Sequence, residues 1–101
     1  MKLVTILTLE EYQEDIKKLM FKNQISIFSE IDMQGYYKAD SSENQSNWFA
    51  NDRIGITSKM NFAFLPEASV QILLEAISQF NAQNQLTNPV HAFVMHVEQA
   101  I

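Results

Sequence analysis

The sequence predicts an α+β fold: one antiparallel sheet with two helices on one face and a long loop between its second and third strands. Three observations carry this. Six apolar stretches alternate between a period of two and a helical period in the order β-α-β-β-α-β. A polar stretch without either period separates the second strand-like run from the third. The chain has 101 residues, enough for one domain with a single core, so residues 1–101 form one unit.

The elements follow in order. Lys2 to Leu7 is rich in β-branched residues, with Leu3 and Leu7 on one face and Val4 and Ile6 on the other, which predicts a central strand buried on both sides. Thr8-x-x-Glu11 reads as a capping box that opens a helix. Leu9, Tyr12, Ile16, Leu19 and Met20 form its apolar stripe, Lys17, Lys18 and Lys22 suit the negative end of its dipole, and Asn23 terminates it. The run Ile25 to Tyr37 has period two: Ile25, Ile27, Ser29, Ile31 and Met33 alternate with Ser26, Phe28, Glu30, Asp32 and Gln34, until Gly35 ends or bends the strand.

Asp40 to Ser58 is the long loop. It holds the only tryptophan, and Trp48 with Phe49 sits among polar residues outside any apolar periodic face, which reads either as an aromatic folded back to anchor the loop or as a partner contact. Lys59 to Leu65 is a third strand, with Met60, Phe62 and Phe64 facing one way and Ala63 and Leu65 the other. Pro66 and Glu67 begin a second helix whose stripe is Val70, Leu73, Leu74, Ile77 and Phe80. Asn81 to Pro89 is a loop by composition, and Val90 to Glu98 is the last strand. This order is the ferredoxin-like arrangement. Strands one, three and four are apolar on both faces, yet two helices cover only one, so a second copy of the chain is the simplest cover for the other.

Composition narrows the function. The net charge is −5 and the seven basic residues are scattered, which argues against nucleic acid. The absence of cysteine removes thiolate chemistry and disulfides. No apolar run approaches the length of a membrane span, and MKLVTILTLEEYQED turns acidic too early for a signal peptide, so a cytoplasmic protein is expected. No glycine-rich phosphate loop or serine elbow is present, and an enzyme is not expected. His91 and His96, five apart on a strand, project to opposite faces and cannot hold one ion within a chain. Glu30, Asp32 and Gln34 share a face, which reads as solvated and offers a hard cation as the sharper alternative.

MKLVTIL at the start, the run Glu30 to Tyr36, Phe64-Leu65-Pro66-Glu67 and Phe93 to Val97, in this order and spacing, resemble the PII-like signalling proteins. The resemblance spans nearly the whole chain. It implies a homotrimer, a T-loop at 40–58 that docks on transporters or enzymes through Trp48, Phe49 and Arg53, and an inter-subunit ligand cleft at Gly35, Tyr36, Tyr37, Lys38, Asn88 and His91. The family seats an adenine nucleotide there on a glycine-rich loop. This chain departs from that pattern: Gln83 to Pro89 has no glycine, His91 stands where a phosphate-contacting lysine is expected, the loop has no tyrosine to modify, and the sequence ends at Ile101, short of a basic tail. The ligand is therefore left open. Small PII-like proteins that accompany membrane transporters, heavy-metal efflux pumps among them, look nearest. The runner-up resemblance is to CutA, which implies a metal site built from Glu30, Asp32, His91 and His96 across subunit boundaries.

Overall fold

The computed structural model describes residues 1–36 and 56–101. Strand β1 spans Lys2–Leu9, a single 3-10 turn follows at Glu10–Tyr12, and α1 spans Gln13–Lys22. Then come β2 at Ser29–Gly35, β3 at Ile56–Leu65, α2 at Glu67–Asn84 and β4 at His91–His96. The sheet is antiparallel in the order β2-β3-β1-β4, the ferredoxin-like topology, and β1 is central as its doubly apolar sequence predicts.

Register decides which residues share a face. Val4 pairs with Ala63 and Ile6 with Asn61, and on the other side with Val94 and Ala92. Val4, Ile6, Ala63 and Leu65 pack with Ile16 and Met20 of α1 and Val70, Leu73 and Ile77 of α2 into one core. The alternate positions form the opposite face: Leu3 pairs with Phe64 and Met95, Thr5 with Phe62 and Phe93, and Ile31 with Met60. Within one chain this face carries exposed apolar groups, with Phe64 at 53% and Phe93 at 45% exposure.

Several predicted boundaries move. Thr8 is not a helix cap: it is buried in β1, pairs with Lys59, and its hydroxyl donates to the carbonyl of Leu9 at 3.2 Å. Pairing to β3 carries the strand two residues further, and the chain turns through the 3-10 segment before α1 begins. Residues 25–28 are not strand, because the chain is still leaving α1 there; Ile25 enters the core while Ile27 is 84% exposed. The third strand begins at Ile56, inside the segment read as loop, since Ile56, Thr57 and Ser58 pair with Gly35, Gln34 and Met33. Finally, α2 runs on to Asn84, and β4 starts one residue late because Val90 spends both backbone groups elsewhere.

The exit from α1 is well defined. Gln24 N–H donates to Phe21 O at 3.0 Å and Ile25 N–H to Met20 O at 2.9 Å, the paired bonds of a Schellman turn. Asn23, the predicted terminator, adds a bond from its Nδ2 to Leu19 O at 2.7 Å. The turn needs a left-handed residue, and Gln24 supplies it at φ 65°.

Candidate functional site

Gly35, Ile56, Leu9 and His91 all lie at one end of the sheet, because β2 ends, β3 begins, β1 ends and β4 begins there. Tyr37, Lys38, Trp48, Phe49 and Arg53 lie outside the described residues. A shallow recess of about 250 Å³, lined by Glu10, Asp32, Met33, Gln34 and Thr57, opens near the β2 side of this end. A larger groove, about 520 Å³, lies between the helices and includes Lys18, Lys22, Gln79 and Phe80.

The predicted cleft residues do not converge within one chain. Gly35 and Tyr36 sit at the β2 edge, while Asn88 and His91 sit at the β4 edge. With β3 and β1 between them, the separation across the sheet is about 14 Å at the usual strand spacing. The two halves share an end but not an edge. His91 lies on the uncovered face, stacked on Phe93 with ring centroids 6.5 Å apart.

The predicted acidic face is built into the chain's own network. Glu30 Oε1 accepts from Gln13 Nε2 at 2.6 Å and lies 3.3 Å from Lys17 Nζ, while Asp32 is ion-paired with Lys59. The Gln13 hydrogen bond, followed by the Lys17 ammonium, holds the Glu30 carboxyl below its ordinary range. The same contact with Glu30 raises Lys17, and Asp32 raises Lys59. Behind Glu30, Gln13 and Asn61 exchange carboxamide hydrogen bonds of 2.7 and 2.9 Å in the buried layer between α1 and β3. No periodicity or motif marks this pair in the sequence. His96 is across the sheet, opposite Lys2, and His91 is on the other face, so Glu30, Asp32, His91 and His96 are not brought together within one chain. Among the described residues, no group of three or more His, Cys, Asp or Glu side chains could hold a metal ion.

The connection from α2 to β4 is fixed by a second missed residue. Asn81 Nδ2 donates to Val90 O at 2.9 Å and Asn81 Oδ1 accepts from Val90 N–H at 2.9 Å, so one carboxamide mimics a strand partner and ties the last turns of α2 to the start of β4. Gln85, left-handed at φ 47°, turns the chain between them.

No protein-family model matches the sequence, and no curated protein matches it. Solved structures do. The apo form of CPII from Thiomonas intermedia K12, a nitrogen regulatory PII-like protein, aligns with a TM-score of 0.66 and 19% identity over 93% of this chain and 85% of that chain. The chain has the PII-like fold. CPII bound to ADP, AMP and bicarbonate aligns over 99% of this chain and 94% of that one, with a TM-score of 0.63 and 17% identity. CPII bound to ADP and bicarbonate gives a TM-score of 0.65 at 17% identity, over 93% of this chain and 82% of that one. The uncovered sheet face and the long β2–β3 connection of this chain are thus set on a PII-like scaffold. Among the described residues, no helix is long and apolar enough to cross a membrane.

Proposed function

We propose that this chain is a regulatory, ligand-sensing protein of the PII-like kind, a homotrimer rather than an enzyme, acting at the cytoplasmic side of a partner such as a membrane transporter. The observation that carries the reading is the apolar sheet face of Ile31, Phe64, Phe93 and Met95, which the helices leave exposed on a PII-like scaffold. Burying it against further copies around a rotation axis also provides a site. The β2 edge of one protomer, with Gly35 and Tyr36, meets the β4 edge of the next, with Asn88 and His91, because both sets lie at the same end of the sheet. Tyr37 and Lys38 extend that site in sequence, and Trp48, Phe49 and Arg53 make the partner contact.

The ligands of CPII name the probes. Light scattering after size exclusion, followed by calorimetric titration with AMP, ADP and bicarbonate, tests the reading. A trimer that binds at least one of them supports it; a stable monomer removes it. A metal-binding role has less to stand on, because Glu30 and Asp32 already have Gln13, Lys17 and Lys59 as partners.

A further inference from the structure

We infer that the groove between α1 and α2 is a docking site for an acidic amphipathic helix of a partner protein. It owes nothing to the inter-protomer cleft. The groove lies on the helix-covered side of the sheet, opposite the apolar face of Phe64 and Phe93, so a copy seated on that face leaves it open.

The shape of the groove suits a helix. Asp15 to Lys22 on one side and Ala76 to Gln83 on the other each span about two helical turns, ~10 Å. Its floor is apolar, made by Leu19, Ala76 and Phe80, with Leu19 and Phe80 packed against the core. That floor is also held in place. Phe80 meets Tyr12 edge-on with ring centroids 6.3 Å apart, and the carbonyls of Leu19 and Phe80 accept from Asn23 Nδ2 at 2.7 Å and Asn84 Nδ2 at 2.8 Å. None of the lining residues is fully buried, so a bound molecule is covered on one side only. A helix laid along the groove tolerates this; a small ligand wants a pocket that encloses most of its surface.

Charge decides the sign of the partner. Lys18 and Lys22 stand one turn apart on the α1 wall. Lys17 is ion-paired with Glu14 and Glu30, and Lys59 with Asp32, but among the described residues neither Lys18 nor Lys22 has an acidic partner. The α2 wall adds no acid: it offers the carboxamides of Gln79 and Gln83, also one turn apart. Among the described lining residues Asp15 is the one carboxylate, so two lysines leave the groove locally positive on a chain whose net charge is −5. Carboxylates one turn apart on a partner helix meet both lysines while an apolar side chain between them covers Leu19 and Phe80. An anionic membrane, being flat, would touch the lysines and leave that floor uncovered.

The test is a titration of the full chain, isotope-labelled for amide NMR, with a synthetic helix of about 14 residues that carries glutamates one turn apart beside a leucine stripe. Shifts centred on residues 15–23 and 76–83 are expected, with binding that fades in about 1 M salt, where the screening length is ~3 Å. Lys18 and Lys22 are exposed, so Lys18→Glu with Lys22→Glu is expected to leave the fold intact by circular dichroism and to weaken binding about tenfold or more. The same peptide with lysine in place of glutamate is expected to bind that variant better than the unsubstituted chain. No binding of the glutamate peptide, equal binding of a glutamine version, or shifts centred elsewhere overturns the inference. So does a groove that responds to phosphatidylserine vesicles and not to the peptide, or loss of the chain's own oligomer in the double variant, which would make the groove an interface between copies. The nucleotide and bicarbonate titrations read a different site, so the two proposals fail separately.

Discussion

The carboxamides of Gln13 and Asn61, 48 residues apart in sequence, exchange two hydrogen bonds in the buried layer between α1 and β3. The second proton of Gln13 Nε2 goes to Glu30 on β2, so one side chain fastens the first turn of α1 to two strands. Gln13 is 4% exposed and Asn61 is fully buried, so neither amide can fall back on water.

Removing one partner strands the other. Gln13→Ala or Asn61→Ala is expected to cost ~1–3 kcal/mol, which for a domain of this size lowers the melting temperature by roughly 4–8 °C per kcal/mol. The double replacement Gln13→Leu with Asn61→Leu leaves no orphan amide and is expected to cost less than the two single alanine changes added together. Strict additivity in thermal melts would contradict the reciprocal pair.

Glu30 makes stability depend on acid. Its carboxyl titrates lower in the folded chain than in the unfolded one, so the unfolded state takes up the proton first as pH falls. The stabilisation is present above the unfolded value of 4.5 and is lost as pH drops through the lowered folded value. Chemical denaturation between pH 7 and 3 should show this loss, and Glu30→Gln should flatten it. An identical pH profile in Glu30→Gln would remove Glu30 as the cause.

Gln24 occupies a left-handed position that glycine fills without a Cβ clash. Its side chain is exposed, so little packing is lost on truncation. Gln24→Gly is expected to raise stability by about 0.5–1 kcal/mol, the left-handed penalty relieved less the extra unfolded-state entropy of glycine. Urea midpoints measure it, and a lower midpoint would count against the Schellman geometry.

The uncovered sheet face gives a prediction about association. Phe64→Asp and Phe93→Asp place a charge on residues already half-exposed in the single chain, so the fold itself should survive. In a trimer closed over that face, each charge is buried without a partner and assembly is lost. Sizing and circular dichroism together read this out: dissociation with retained secondary structure is expected, whereas an unchanged assembly would place the interface elsewhere.

Much of this architecture was legible in the chain. Period-two and helical patterns placed all four strands and both helices, because burial on a two-layer scaffold imposes those periods on any sequence that adopts it. The doubly apolar β1 announced its central place, and the five-residue spacing of His91 and His96 correctly put them on opposite faces. Boundaries were less legible. Thr8 has the side chain of a helix cap, but local hydrogen-bonding capacity lost to the ladder bond network that pairs β1 with β3.

The polar contacts were not legible at all. Nothing near Gln13, Asn61 or Asn81 in sequence distinguishes them from ordinary surface amides, and their burial exists only because residues distant along the chain arrive with complementary donors and acceptors. Likewise, sequence supplied Gly35, Tyr36, Asn88 and His91 as one set, but strand order decided that they occupy opposite edges of the sheet. Periodicity is a property each segment carries by itself. Pairing across β1 and β3, and the distance it puts between two edges, is fixed only when the whole sheet closes into its order.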